Sequence, residues 1–274
     1  MKFTKMQGTG NDFIIIEDLC GKLEDKQGKI AVKLCDRHFG VGADGILYVK
    51  KSDMADIKMV IVNSDGSEAS MCGNGIRCFA KYVFENKLVK NSDIIRIETG
   101  DGIKEAKLNI KDGKVDNVTI NMGKPSFNPK DIPANSDKEI INKEVSIENK
   151  KYFLNSVFMG VPHTVVFQKM HDVDISDGSK IEKLDLFPQN TNVNFCEVIN
   201  KGEIHVRTWE RGAGATFACG TGCCASVAVA NRLQYVGKKV NVKVPGGKLY
   251  IEINDNGIFM TGPCEVSFKG EADI

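Results

Sequence analysis

The chain has 274 residues, 42% of them hydrophobic and 27% charged, with a formal net charge of +1. That length has room for two ordinary domains with a core each, and the composition is that of a globular enzyme rather than a disordered or fibrous chain. Lysines are scattered among Asp and Glu, which excludes the basic stripe of a nucleic-acid binder and any global pull toward an acidic membrane surface.

No apolar run approaches the roughly 18 residues of a spanning helix, and the start MKFTKMQGTGNDF lacks the apolar core of a signal peptide, so a cytoplasmic protein without membrane contact is expected. Nine cysteines, at 20, 35, 72, 78, 196, 219, 223, 224 and 264, form an odd set in a reducing compartment, which argues against a disulfide framework. There is no CxxC pair and no His at finger spacing, so no metal site is expected.

Taken along the chain, GNDFIII from Gly10 and DIKMVIV read as short strands, and the string NSDGSEASMCGNGIRCFA from Asn63 reads as a small polar loop, Cys-Gly-x-Gly, then a helix over Asn74–Leu88. The strand-turn segment IIRIETGDG and the strand KVDNVTINM follow. A proline-bearing polar stretch, Lys124–Asp137, reads as the boundary between a first domain of residues 1–123 and a second of 124–274, with the last ten or so residues able to return to the first. The second half then repeats the first: GVPHTVVF from Gly160, GEIHVRTW, ERGAGATFACGTGCCASV from Glu210, a helix over Thr221–Tyr235 stopped at Gly237, and VNVKVPGGKLYIEI.

The repeat keeps register. Asn63 precedes Cys72 by nine residues and Glu210 precedes Cys219 by nine (72 − 63 and 219 − 210), while Gly100 and Gly247 each follow their cysteine by 28. The expected fold is therefore of the α/β (α+β) type, with two pseudo-symmetric domains, each a curled and mostly antiparallel sheet or barrel around a central helix.

Asn74 and Thr221 are good N-cap residues, which places each Cys-Gly pair at or just before a helix start. The unpaired N–H groups and partial positive charge of such a terminus favour a thiolate or a carboxylate, and the glycines allow close approach and positive φ. A lowered thiol pKa is expected there. Two such thiols suit removal of an α-proton by one and its return by the other, with the amides stabilising charge on a substrate carboxylate. One cysteine alone would be read as an inert buried thiol; two at matched positions are not.

MCGNGIRCFA and ERGAGATFACGTGCCA resemble the two active-site signatures of the diaminopimelate epimerase family, and KMQGTGNDF, NSDGSEA, VPHTVVF and NVNF extend the likeness along nearly the whole chain. The resemblance implies two similar α/β domains with the substrate in the cleft between them, and no pyridoxal phosphate or metal. It implies interconversion of LL- and meso-diaminopimelate, for lysine and peptidoglycan precursor synthesis, with a small amino acid as partner and a homodimer as one assembly open to the chain.

It puts the two catalytic cysteines at Cys72 and Cys219 and the backbone cradle at Gly73, Asn74, Gly220 and Thr221. Substrate contacts fall to Asn11, Asn63, Asn192, Glu210 and Arg211, and tuning of the thiols to His163 and Glu210. Two positions depart from the family pattern: Val161 stands where an Asn is usual and Gly45 where many members have Gln. A racemase of another amino acid, such as histidine, therefore stays open, as do an amino-acid-binding protein without chemistry and a cysteine hydrolase.

Overall fold

A computed structural model describes residues 1–273 of the chain, which divides into two compact units: residues 1–120 together with the segment from 261 onward, and residues 121–260. The first unit contains β1 (Lys2–Gly8), β2 (Asn11–Glu17), α1 (Gln27–Cys35), β3 (Gly45–Lys50), β4 (Ile57–Asn63), β5 (Glu68–Ala69), α2 (Gly73–Glu85), β6 (Ile94–Thr99), β7 (Gly102–Lys111) and β8 (Lys114–Asn121). The second contains β9 (Lys143–Ile147), β10 (Lys150–Phe158), β11 (Pro162–Phe167), α3 (Asp177–Glu182), β12 (Asn192–Asn200), β13 (Glu203–Glu210), β14 (Gly214–Thr216), α4 (Gly220–Arg232), β15 (Lys239–Val244) and β16 (Gly247–Asn254). Strand β17 (Gly257–Pro263) carries the chain back into the first unit, where β18 (Glu265–Glu271) ends the pattern.

The two units repeat one pairing scheme. In the first, β1 pairs antiparallel with β2, β2 parallel with β3, β3 antiparallel with β4, β4 parallel with β6 and β6 antiparallel with β7. In the second, β10, β11, β12, β13, β15 and β16 pair in the same order and the same senses. The short strands β5 and β14 add to β4 and β13 just before the helices. Each unit is thus a mixed but mainly antiparallel sheet, and its helix packs on strands of its own unit. Residues 225–230 of α4 are buried on every side, as befits a helix enclosed by its sheet.

The helix ends are repeated too. Cys72, in extended conformation, and Cys219 are the N-cap residues of α2 and α4, so the caps are the cysteines themselves rather than Asn74 and Thr221. Both helices stop three residues short of the expected ends, because Lys87 (φ 57°) and Gln234 (φ 60°), each fifteen positions past its cysteine (87 − 72 and 234 − 219), turn left-handed. There the Leu88 N–H bonds Val83 O and the Tyr235 N–H bonds Ala230 O, the six-to-one bond of a Schellman close. Gly237, expected as the stop, instead donates its N–H to Lys201 O.

The chain passes between the units at Ile120/Asn121 and Met260/Thr261, so the boundary expected after residue 123 lies three residues earlier and Lys124–Asp137 belongs to the second unit. Its Ser126 is tied by two backbone bonds to Phe158 of β10. The segment from 261 onward sits in the first unit for a backbone reason. In the second unit β9 covers the outer edge of β10; in the first, β18 pairs antiparallel with β1 in the equivalent place. An edge strand with unpaired N–H and C=O groups is a liability, and the last strand removes it from β1.

Candidate active site

The first cysteine lies in a dense polar setting. Cys72 is half-buried, its sulfur accepts the Gly75 N–H at 3.4 Å and its thiol donates to Asn11 Oδ1 at 3.5 Å. Asn74 Nδ2 donates to the same oxygen at 3.3 Å. Asn74 Oδ1 in turn accepts from Arg77, whose guanidinium is fully buried and also bonds Gly73 O and the Thr9 hydroxyl. Asn63, at the end of β4, holds the turn after it through its own N–H to Ser67 O and through Nδ2 to the Ser67 hydroxyl at 3.0 Å.

The second cysteine is more deeply placed, at 6% exposure against the half-buried Cys72. It makes no side-chain capping bond, and its sulfur lies 3.4 Å from the Thr221 hydroxyl. Burial raises the Cys219 thiol well above its ordinary range and the nearby Glu210 charge adds to this; contacts with Thr221 and the Gly222 backbone act in the opposite sense without prevailing. The lowering expected from the helix start is therefore overturned at Cys219: desolvation and a like charge outweigh the terminal amides.

Glu210 ends β13 and accepts the Thr216 hydroxyl at 2.7 Å. Asn192, buried at the start of β12, braces two segments at once, donating to Pro162 O at 3.1 Å and accepting the Arg211 N–H at 2.8 Å. Arg211 is exposed, with one guanidinium N–H on Gln189 O. His163 is completely buried, and its Nδ1 lies 3.1 Å from Asn194 Nδ2. Asn194 Nδ2 also donates to Thr164 O at 3.4 Å, a carbonyl that only accepts, so its nitrogen is the donor and His163 carries its proton on Nε2. Burial and the Arg211 charge push the His163 pKa down to about 3, which makes it a neutral imidazole. Among the described residues its Nε2 has no hydrogen-bond partner.

Equivalent strand positions explain the helix glycines. Pairing of Phe13 with Gly45 and of His163 with Asn192 makes Leu47 and Asn194 equivalent. A Cβ on Gly75 would meet Leu47 at 3.3 Å, and one on Gly222 would meet Asn194 Oδ1 at 2.3 Å. Both glycines are helical and neither has the positive φ anticipated from sequence; close packing of helix on strand leaves no room for a side chain at Gly222 and only a tight fit against side-chain carbons at Gly75. Gly45 also stands where Asn192 stands in the other unit, and Val161 where Asn11 stands, so each unit keeps one of the two amides.

Sequence reasoning missed Asp44, Arg77 and Asn194. Arg77 and Asn194 lie inside strings quoted above, MCGNGIRCFA and NVNF, but their counterparts in the other unit are Cys224 and Leu47, so repeat symmetry could not single them out. A charged or amide side chain within an otherwise apolar segment was the available signal.

The chain matches the family model described as diaminopimelate epimerase over residues 3–128 and 155–267. It is 56% identical to the diaminopimelate epimerase of Clostridium perfringens over 262 residues, 96% of each chain. It is 44% identical to that of Methanococcus maripaludis over 281 residues, covering both chains in full. Among solved structures, a PhzF-family phenazine biosynthesis protein of Bacillus anthracis superposes with a TM-score of 0.74 at 19% identity, covering 100% of this chain and 99% of that one. A probable proline racemase of Agrobacterium radiobacter superposes with a TM-score of 0.72 at 14% identity, covering 100% and 93%. The last two share the fold; the family match and the identity held over almost the whole length place this chain in the diaminopimelate epimerase family.

Proposed function

We propose that the chain is an isomerase that interconverts LL- and meso-diaminopimelate without a cofactor, with Cys72 and Cys219 as the two proton carriers. The observation that supports this most is the matched pair of cysteines, each capping the buried helix of its repeat, in a chain of this family. One thiolate removes the α-proton, the other thiol supplies a proton to the opposite face, and the stereocentre inverts. The raised Cys219 thiol suits the proton donor of the resting enzyme. Backbone N–H groups of Gly73, Asn74, Gly220 and Thr221 are the anion donors in this reading, and charge spreading onto the substrate carboxylate is what they stabilise. Asn11, Asn63, Asn192, Glu210 and Arg211 hold the remaining polar groups, with Arg211 suited to a distal carboxylate.

His163, neutral and buried, acts in this reading through Asn194 and the Arg211 neighbourhood rather than as a charged base. The chain serves lysine and peptidoglycan precursor synthesis in the cytoplasm; among the described residues no helix is long and apolar enough to cross a membrane. A homodimer is part of this reading, and sedimentation velocity would detect it.

The test is α-deuterium exchange in heavy water with LL-diaminopimelate and a panel that includes histidine. Exchange with diaminopimelate that Cys72→Ala and Cys219→Ala abolish is expected. Undiminished exchange in either variant refutes the two-thiol reading, and turnover of another amino acid in preference assigns the substrate elsewhere. Because Val161 replaces a hydrogen-bonding amide, worth about 1–3 kcal/mol to a buried polar partner, Val161→Asn is the informative specificity variant.

A further inference from the structure

Behind Asn11 lies an ionic cluster that the reaction as described does not use. Asp12 pairs with Lys5 at 2.7 Å and with Arg37 at 2.7 Å, and Arg37 also reaches Asp44 at 2.8 Å. Burial works against the Asp12 charge, but its bonds to Arg37 and Lys5 outweigh this and hold its carboxyl down at about 2. The other oxygen of Asp44 accepts the Asp12 N–H at 3.0 Å and Asn11 Nδ2 at 2.5 Å.

Those partners decide which way two amides face. A carboxylate only accepts, so the end of Asn11 that meets Asp44 must be its NH2, and its carbonyl oxygen must face Cys72 and Asn74. A guanidinium only donates, so the end of Asn74 that meets Arg77 must be its oxygen, and its NH2 must face Asn11. Each amide is locked by a charged neighbour, and together they present one carbonyl oxygen to the thiol.

We propose that Asp44 is a positioning residue for Cys72, acting through Asn11: its carboxylate holds the Asn11 amide so that the carbonyl, and not the NH2, meets the sulfur. The functional weight of this inference rests on Cys72 being a proton carrier, but the geometry does not. A carbonyl against the sulfur accepts its S–H, so Asn11 sets how readily Cys72 gives up that proton to act as base. In Val161 the second unit has no equivalent amide, so the device belongs to Cys72 alone.

The test is the pH profile of Cys72 alkylation by iodoacetamide, followed by peptide mass spectrometry, which needs no turnover and so stands apart from any failure of the exchange assay. The charged groups tied to this network are Lys5, Asp12, Arg37 and Asp44 around Asn11 and Arg77 on α2. In Asp44→Asn the Asn11 amide is free to turn its NH2 to the sulfur, which favours thiolate, so the midpoint is expected to fall by about one pH unit; the lost charge, 42% exposed and paired with Arg37, is screened and adds little of its own. Arg37→Ala, which breaks the ion pair but leaves the Asp44 to Asn11 bond, should lower the melting temperature and leave the midpoint within about 0.3 pH unit.

Asn11→Ala removes the carbonyl and should also lower the midpoint, and the double variant with Asp44→Asn should shift no further than Asn11→Ala alone, since one acts through the other. An unchanged midpoint in folded Asp44→Asn, or shifts that add in the double variant, overturns the proposal. Should Asp44→Asn not fold, Asp44→Ser, which keeps an oxygen for the Asp12 N–H, is read by the same criteria.

Discussion

Acid should destabilise the second unit through one residue, His163. It is fully buried and held at about 3 by burial and the Arg211 charge, against an ordinary value near 6.5. The folded state keeps the imidazole neutral, while the unfolded chain takes up a proton below about pH 6.5. Stability is therefore complete above that value and is lost as pH falls toward 3, up to about 5 kcal/mol from a shift of 3.5 units at 1.36 kcal/mol each. Between pH 7.5 and pH 5 the same two values give a loss of about 2 kcal/mol.

Paired carboxylates add little in that window. Asp12 and Asp177 are held at about 2, Asp177 because Lys150 and Tyr152 bond it strongly enough to outweigh its burial, and each contributes less than about 0.1 kcal/mol at pH 5. Urea denaturation at the two pH values, followed by the fluorescence of Trp209, the single Trp and a residue of the same unit, measures the difference. His163→Gln should reduce the difference to under about 0.5 kcal/mol. A wild-type loss that small, or an equal loss in the variant, would refute the reasoning.

Two further outcomes follow from packing. Gly222→Ala drives a methyl to 2.3 Å from Asn194 Oδ1 and must disturb its bonds to Thr208 and His163, whereas Gly75→Ala meets only side-chain carbons at 3.3 Å or more; thermal unfolding should show a loss of about 3 kcal/mol for the first and about 1 kcal/mol for the second. Ending the chain at Cys264 uncovers the edge of β1 and the Phe3 ring, which packs edge-on against Phe268 at 6.0 Å and lies within 2.6 Å of a Cβ built on Gly270; light scattering should then show aggregation that the untruncated chain does not.

Two α/β units, their common register and the cysteines at the head of each central helix were all legible in the chain, because spacing along a repeat is a one-dimensional property: nine residues from Asn63 to Cys72 and nine from Glu210 to Cys219 survive any folding. Short polar loops, apolar helices and alternating strands are likewise local patterns. The capping role passed from Asn74 and Thr221 to the cysteines because a cap is set by backbone dihedrals, which composition constrains only weakly.

Tertiary structure alone decided the rest. The thiol of Cys219 is raised rather than lowered because burial and Glu210 act through space, and neither can be read from its neighbours in the chain. Pairing of β18 with β1 joins residues more than 250 positions apart, and the bond from Asp44 to Asn11 spans 33. Which oxygen or nitrogen of an amide faces a thiol is settled by the charge of a distant partner, and that choice exists only once the chain has folded.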